Sequence, residues 1–296
     1  MKHAITVDVE DYFHTEAMSP AAPREIWESF PSRVEASTRR LLDCFARHDV
    51  KGTFFILGWV AKKSPALVKE IANAGHEIAC HSYWHRAIFR LEPAEFREDT
   101  TEAKKAIEDA GGQAVFGYRA PSFSITPGTE WAYDVLAELG FTYDSSVNPI
   151  RHDFYGNPRA PRGPHRVAAG RLVELPIATS RMFGQNWPAG GGAYLRLFPR
   201  LYFHRAIAAL DEKNTSGMFY LHPWEVDPDQ PRLKVGMKSR FRQYTGLTRM
   251  QPNLEMLLSQ HQFGPVREVY AAELKSVLGG PGGGLRTPPN ISKNVV

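Results

Sequence analysis

Five short apolar runs, at residues 4–9, 52–57, 77–80, 116–118 and 141–143, alternate with stretches of helical periodicity through the first half of the chain. No other feature constrains the fold as much. Runs this short and this apolar read as buried strands. Helices are predicted between them. Residues 34–48 place Val34, Thr38, Leu41, Leu42 and Phe45 on one face. Ser64 as N-cap and Pro65 at the first helical position open a second helix, which Gly75 closes. Residues 93–110 form a third, stopped by Gly111-Gly112, and residues 126–139 a fourth, ended by Gly140. Strand–helix alternation with short connections specifies stacked βα units, a parallel sheet and the α/β class. A length of 296 residues allows one large domain or two small ones, and an α/β barrel fills it as one.

After Asp144 the rhythm weakens. Residues 149–170, rich in Pro, Arg, Gly and His, read as a long surface excursion. A strand is expected at 172–176, a helix at 200–210 and a buried strand at 217–221. Residues 231–278 hold a basic aromatic stretch at 234–244 and a helix around 253–261. Fewer than 50 residues bury too little core to stand alone, so this segment is expected to pack on a barrel of residues 1–230. Residues 279–296 begin with six consecutive glycines or prolines and read as a disordered tail.

Composition removes several classes of function. Hydrophobic content of 43% and charged content of 23% exclude a fibrous or wholly disordered chain. Lys and Arg (36) exceed Asp and Glu (32) by four, too little to predict a nucleic-acid partner without a clustered patch. No apolar run approaches the roughly 20 residues of a membrane-spanning helix. Two cysteines, Cys44 and Cys80, give neither a disulfide framework nor a cysteine zinc site. The early acidic residues leave no room for a secretory signal, so the expected location is cytoplasmic.

The chemistry gathers where the apolar runs end. Asp8-Val9-Glu10-Asp11 closes the first run, and at the C-terminal edge of a parallel barrel such carboxylates are candidate catalytic groups. His81 and His85 follow the third run. Four residues apart, they would share one face of a helical turn and, with a carboxylate, supply a two-His-one-carboxylate metal site. Arg119 follows the fourth run and can orient a carboxylate by a bidentate pair. His222 ends the apolar run at 217–221. Each residue alone has an ordinary structural reading, but four polar groups delivered at four strand ends form a pattern.

The ordered segments TVDVED, HSYWH, RAPSF, YDSS and FYLHPWE resemble the polysaccharide deacetylase family, the NodB-homology carbohydrate esterases, across residues 6–225. DVEDYFH, GTFFILGWVA, GGGAYLRLFP and HPWEVDPDQPR are similar to its subgroup associated with exosortase-linked exopolysaccharide loci. The resemblance implies a distorted (β/α) barrel of fewer than eight strands, here with a C-terminal extension, acting on an N-acetylated glycan. Asp8 matches the family's general base, Arg119 the residue that tethers it, and His222 the general acid. His81 and His85 match ligands of one divalent metal, zinc by first expectation, with cobalt, nickel or manganese as substitutes. Val9 interrupts the family's usual adjacent carboxylates, so the third ligand is Glu10 or Asp11. Rival expectations are a metal-independent amide hydrolase of the allantoinase type and a non-catalytic glycan-binding protein. Lys234, Lys238, Arg240 and Arg242 read as a solvated basic face, or else as a surface for an anionic glycan or lipid head group.

Overall fold

A computed structural model describes residues 1–278. The expected tail at 279–296 lies outside the described residues. Strands are β1 (Lys2–Val9), β2 (Thr53–Ile56), β3 (Glu77–Cys80), β4 (Gly117–Tyr118), β5 (Tyr143–Asp144), β6 (His165–Val167), β7 (Leu172–Glu174), β8 (Thr179–Met182), β9 (Gln185–Pro188), β10 (Met218–Leu221) and β11 (Gln262–Gly264). Seven of them run parallel in the order β10-β1-β2-β3-β4-β5-β7. Antiparallel β6 extends the β7 edge, and β11 pairs with Lys2–Ala4 of β1. The gap between β7 and β10 is bridged irregularly: Ala178 N–H donates to Met218 O at 2.9 Å, and Tyr220 N–H donates to Gly190 O at 2.7 Å. The result is the distorted (β/α) barrel expected from the sequence; its parallel strands number seven, but β6 and β11 bring the sheet to nine among the described residues, more than the fewer than eight expected.

Strand periodicity divides the core. Val7, Val9, Phe54, Ile56, Ile78 and Tyr118 face outward, packing with Leu41, Phe45 and Leu67 from the surrounding helices. Their alternates Ala4, Phe55, Ala79, Tyr143, Val173 and Tyr220 form a separate interior cluster. Gly117 belongs to the interior set, where a Cβ would lie 2.0 Å from the Tyr143 ring; only glycine lets that ring cross the barrel. Following the interior alternation past each strand end reaches Glu10, His81, Arg119 and His222.

The helix Val34–Arg47 and strand β3 match their sequence expectations closely. Other elements differ for local reasons. The helix expected at 126–139 spans only Trp131–Glu138, because Thr129 Oγ1 accepts the N–H of Thr126 and holds a turn before it. The excursion at 149–170 contains β6, and β8–β9 form a hairpin that periodicity did not reveal. The basic stretch forms a helix, Met237–Tyr244, and the next helix starts at Leu247, with Pro252 inside it. Ser64 precedes its helix as expected but makes no side-chain capping bond.

Candidate active site

Six buried or half-buried side chains meet at the C-terminal edge of the barrel. Asp8, on β1, accepts a hydrogen bond from Arg119 Nη1 at 2.6 Å. The guanidinium is fully buried and also donates to Thr6 Oγ1 (2.7 Å), Ser145 O (3.1 Å) and Ser145 Oγ (3.0 Å). Its carbon lies 4.1 Å from the centre of the Phe55 ring. Arg119 therefore has little freedom to leave Asp8.

Beside this pair, Nε2 atoms of three imidazoles converge on Glu10 Oε1. His81 lies at 3.3 Å, His85 at 3.4 Å and His222 at 3.5 Å. Charge-assisted N–H···O bonds are shorter, about 2.7–2.9 Å. The observed spacing instead matches the edge of a tetrahedron of donors about 2.0–2.1 Å from a central zinc-like cation, which is about 3.3–3.4 Å. Glu10 Oε2 is buried without a hydrogen-bond partner, as a second donor reserved for a cation would be. His81 Nδ1 donates to Arg119 O at 2.8 Å, since a carbonyl can only accept; that leaves the Nε2 lone pair facing Glu10. Glu10, His81 and His85 thus form a donor set that fits a divalent cation.

The helical turn expected for the two histidines is absent. Residues 81–87 are irregular, with Ser82 at φ 62° and His85 at φ 52°, both left-handed. Ser82 Oγ accepts the N–H of His85 at 3.0 Å, and buried Asp99 accepts that of Tyr83 at 2.8 Å. Side-chain bonds to the backbone, rather than a helical repeat, bring the imidazoles together. Ser122 and Phe123 are also left-handed, at φ 54° and 50°. Strain of this kind gathers at functional sites and requires surroundings that over-determine it.

Asp11, the other candidate ligand, points elsewhere. Its carboxylate accepts Ser32 Oγ (2.7 Å) and the N–H groups of Tyr12 (2.9 Å), Arg33 (2.8 Å) and Val34 (3.1 Å). It caps the start of the helix Val34–Arg47, a structural task that leaves no free lone pair directed at the histidines.

His222 completes the set, 4.0 Å from Asp8 Oδ2. Glu225 Oε2 accepts from its Nδ1 at 3.2 Å and from its backbone N–H at 3.0 Å. Glu225 is in turn bonded at 3.0 Å by the fully buried Arg196. Burial opposes a charge on His222, but Glu10, Glu225 and Asp8 raise its pKa to about 9. Burial likewise opposes ionisation of Glu10, yet the surrounding His85, His222 and His81 hold its carboxyl well below the usual range. The glycine triplet at 190–192 makes this support possible: a Cβ on Gly192 would lie 2.0 Å from Glu225 Oε2. The roles of Thr6, Ser145, Arg196 and Glu225 escaped sequence reasoning, although the segment containing His222 and Glu225 was singled out. The i,i+3 spacing of His222 and Glu225 was the available signal.

Of the aromatic residues near these motifs, Phe123 and Trp224 line the cleft over the site, whereas Tyr12 is fully buried. Trp224 stacks on His222 with ring centres 5.0 Å apart. Trp84 packs against the hydrophobic core.

Fold and site define an open (β/α) barrel with a carboxylate–imidazole centre at its C-terminal edge. Residues 20–143 match the family described as polysaccharide deacetylase, and residues 145–271 match one described as a domain of unknown function (DUF3473). Residues 20–143 therefore carry a polysaccharide deacetylase domain. It is 35% identical over 100 residues to the chitooligosaccharide deacetylase of Bradyrhizobium sp. (strain ANU 289), covering 34% of this chain and 43% of that one. It is 30% identical over 125 residues to the peptidoglycan-N-acetylglucosamine deacetylase of Bacillus cereus, covering 38% and 46%. The chain thus spans less than half the length of these two curated relatives. A crystal structure from Mycobacterium smegmatis, of a protein assigned to the polysaccharide deacetylases, shares the fold over 100% of this chain and 96% of that one. Its TM-score is 0.60 and its identity 20%.

Proposed function

We propose that the protein is a metal-dependent hydrolase that removes N-acetyl groups from amino sugars of a polysaccharide or its precursor, in exopolysaccharide biosynthesis. The observation that carries this reading is the Arg119-held carboxylate of Asp8 beside the donor set Glu10, His81 and His85, with His222 on the same centre. Those three donors would hold one divalent cation, with zinc favoured by its imidazole and carboxylate ligands. When bound, that cation supplies Lewis acidity, polarising the amide carbonyl and acidifying the attacking water.

The protein's own groups do the remaining work. Asp8 accepts the proton that water loses as its oxygen bonds to the acetamide carbon. Arg119 keeps the carboxylate aimed and stabilises its charge. His222, held by Glu225, gives a proton to the sugar nitrogen as the C–N bond breaks, releasing acetate and a free amine. Without that proton the leaving group would be a strongly basic amide anion.

Two buried, unpaired cysteines, Cys44 and Cys80, are compatible with a cytoplasmic location, which we include in the proposal. No helix among the described residues is long and apolar enough to cross a membrane. The test is acetate release from N-acetylated oligosaccharides by protein loaded with zinc, and again after chelation. Release that disappears on chelation and returns with added metal supports the reading. Turnover untouched by chelation, with no metal bound, would favour the allantoinase-type alternative.

A further inference from the structure

The cleft over the site, ≈ 920 Å³, is at the upper end of the range of about 300–1,000 Å³ typical of ligand pockets. The first half of the chain supplies Asp8, Glu10 and His85 to its floor, and the second half supplies much of its wall. That wall includes the basic helix Met237–Tyr244, whose side chains no part of the chemistry above requires. Lys238, Phe241 and Arg242 all line the cleft, together with Asp153 from the excursion after β5.

Their pairing leaves a surplus of charge. Lys238 Nζ and Arg242 Nη2 both meet the one carboxylate of Asp153, Arg242 at 2.8 Å. Two cations sharing one carboxylate leave a local charge of plus one. The side chains remain open to solvent, 68% exposed for Lys238 and 42% for Arg242. Phe241 presents a ring that is 58% exposed on the same wall. A sugar ring offers apolar C–H faces to such a ring, and an acidic sugar adds a group that both cations can bind.

The helix is also firmly seated. The main-chain carbonyls of Arg242, Gln243 and Thr245 accept from Arg196, the residue that holds Glu225. The cationic wall is therefore attached directly to the support of His222.

We propose that Lys238, Arg242 and Phe241, with Asp153 as a counter-charge, form a subsite for an anionic sugar residue lying beside the acetamido sugar at the hydrolytic centre. The chemistry recognised is a carboxylate or phosphate on a pyranose ring. This rests on the deacetylase reading for the identity of the neighbouring sugar, but binding can be measured without turnover. A membrane surface is the competing occupant of this basic helix. The glycan is favoured because Lys238, Phe241 and Arg242 face into the cleft that contains Asp8 and Glu10.

The experiment is calorimetric titration of the full chain with neutral tetra-N-acetylchitotetraose and N-acetylglucosamine, with a hyaluronan tetrasaccharide as the carboxylate probe, and with N-acetylglucosamine 1-phosphate as the phosphate probe. At low salt at least one acidic probe should bind about fivefold tighter than its neutral counterpart, tetra-N-acetylchitotetraose or N-acetylglucosamine. That factor corresponds to an exposed ion pair at the upper end of its usual range. The preference should shrink as salt rises. Lys238→Ala with Arg242→Ala should remove it, while Asp153→Asn, which frees both cations, should enlarge it. Thermal melting confirms that each variant is folded; both basic side chains are exposed, so neither substitution disturbs the core. Equal affinity for acidic and neutral probes, or a preference that survives the double substitution, overturns the subsite. So does binding to phosphatidylserine vesicles that depends on Phe241 when neither acidic sugar binds. Absence of deacetylation alongside an intact acidic preference would defeat the functional reading and leave the subsite standing.

Discussion

Arg119 and Asp8 stand 111 residues apart in sequence, yet Nη1 and Oδ1 are 2.6 Å apart with both side chains almost wholly buried. A buried pair of this kind is costly unless its remaining polar atoms are satisfied. Thr6 and Ser145 supply those partners to Arg119. Asp8→Asn keeps the shape and removes the proposed base. Deacetylation should fall by roughly 10²–10⁴-fold, the usual contribution of a general base. Metal content by elemental analysis should stay near that of the parent, since Asp8 is outside the Glu10–His81–His85 set. Substantial residual turnover would remove Asp8 from the base's role.

Glu10 and Asp11 are neighbours with opposite tasks, and substitution separates them. Glu10→Gln should lose stoichiometric metal, as should the His81→Ala, His85→Ala double variant. Asp11→Asn should keep metal and instead lose stability, by about 1 kcal/mol for a weakened helix cap. The pair of measurements is metal content and thermal unfolding. Metal loss in Asp11→Asn with retention in Glu10→Gln would reverse the assignment.

The sequence reading left Glu10 and Asp11 open, yet strand alternation carried a signal that separates their directions. Strand side chains alternate, so positions 8 and 10 share the barrel interior while position 11 faces outward. The same alternation carries 79 to His81, 117 to Arg119 and 220 to His222. The five apolar runs were legible because each is short and mostly buried, although Phe116 is 50% exposed. Less legible was the loop 81–87, where left-handed backbone at Ser82 and His85 leaves no periodic trace. The support of His222 by Arg196 was also hidden, because it joins segments 29 residues apart through a glycine triplet whose purpose is close approach. The hairpin β8–β9 has exposed and half-buried residues at most positions, so hydrophobic patterning had little to register.

The organisation of the second half remains a proposal that can be tested by dissection. We take residues 231–278 as an extension of the barrel. Strand β11 pairs with β1, and Val266 N–H donates to Thr53 Oγ1 at 2.8 Å. Leu254, Leu257 and Leu258 join the main hydrophobic core. Expressed alone, the segment should show no cooperative unfolding transition by circular dichroism. A chain ending at residue 246 should unfold well below the full one, because it exposes the β1 edge and that leucine face. Independent folding of the isolated segment would contradict this organisation.

The proposed general acid, His222, leans on a carboxylate that is itself paired with Arg196. Glu225→Gln keeps a group of the same size beside His222 but withdraws its charge and leaves buried Arg196 unpaired. Turnover should drop by roughly tenfold or more, and stability by about 3–5 kcal/mol, the usual cost of breaking a buried pair. His222→Ala should slow turnover by roughly 10²–10⁴-fold on sugar amides. The loss should be much smaller for an acetanilide bearing an electron-withdrawing nitro group, whose amine needs less help to leave. Equal losses on both substrates would argue against proton donation by His222.

A different set of histidines sets the acid limit of the fold. His76 Nδ1 accepts the N–H of Gly52 at 3.1 Å, which requires an unprotonated nitrogen. His3 accepts from Gly217 at 3.0 Å and His14 from Asp11 at 3.0 Å in the same way. Burial, followed by the charges of Lys51 and Arg267, lowers the pKa of His76 to about 4. The unfolded chain binds a proton there near pH 6.5, whereas the folded chain refuses it until about pH 4. Its stabilising contribution is therefore complete above pH 6.5 and is lost as pH falls toward 4, at about 1.4 kcal/mol per pH unit. Denaturant unfolding measured from pH 7.5 to 4 should show stability declining over that window. In His76→Gln the decline should be shallower by roughly one proton's worth, with a lower plateau at neutral pH where the bond from Gly52 is disturbed. An unchanged slope in the variant would mean that His76 is already neutral in the unfolded chain, or titrates alike in both states, and would remove it from the acid response.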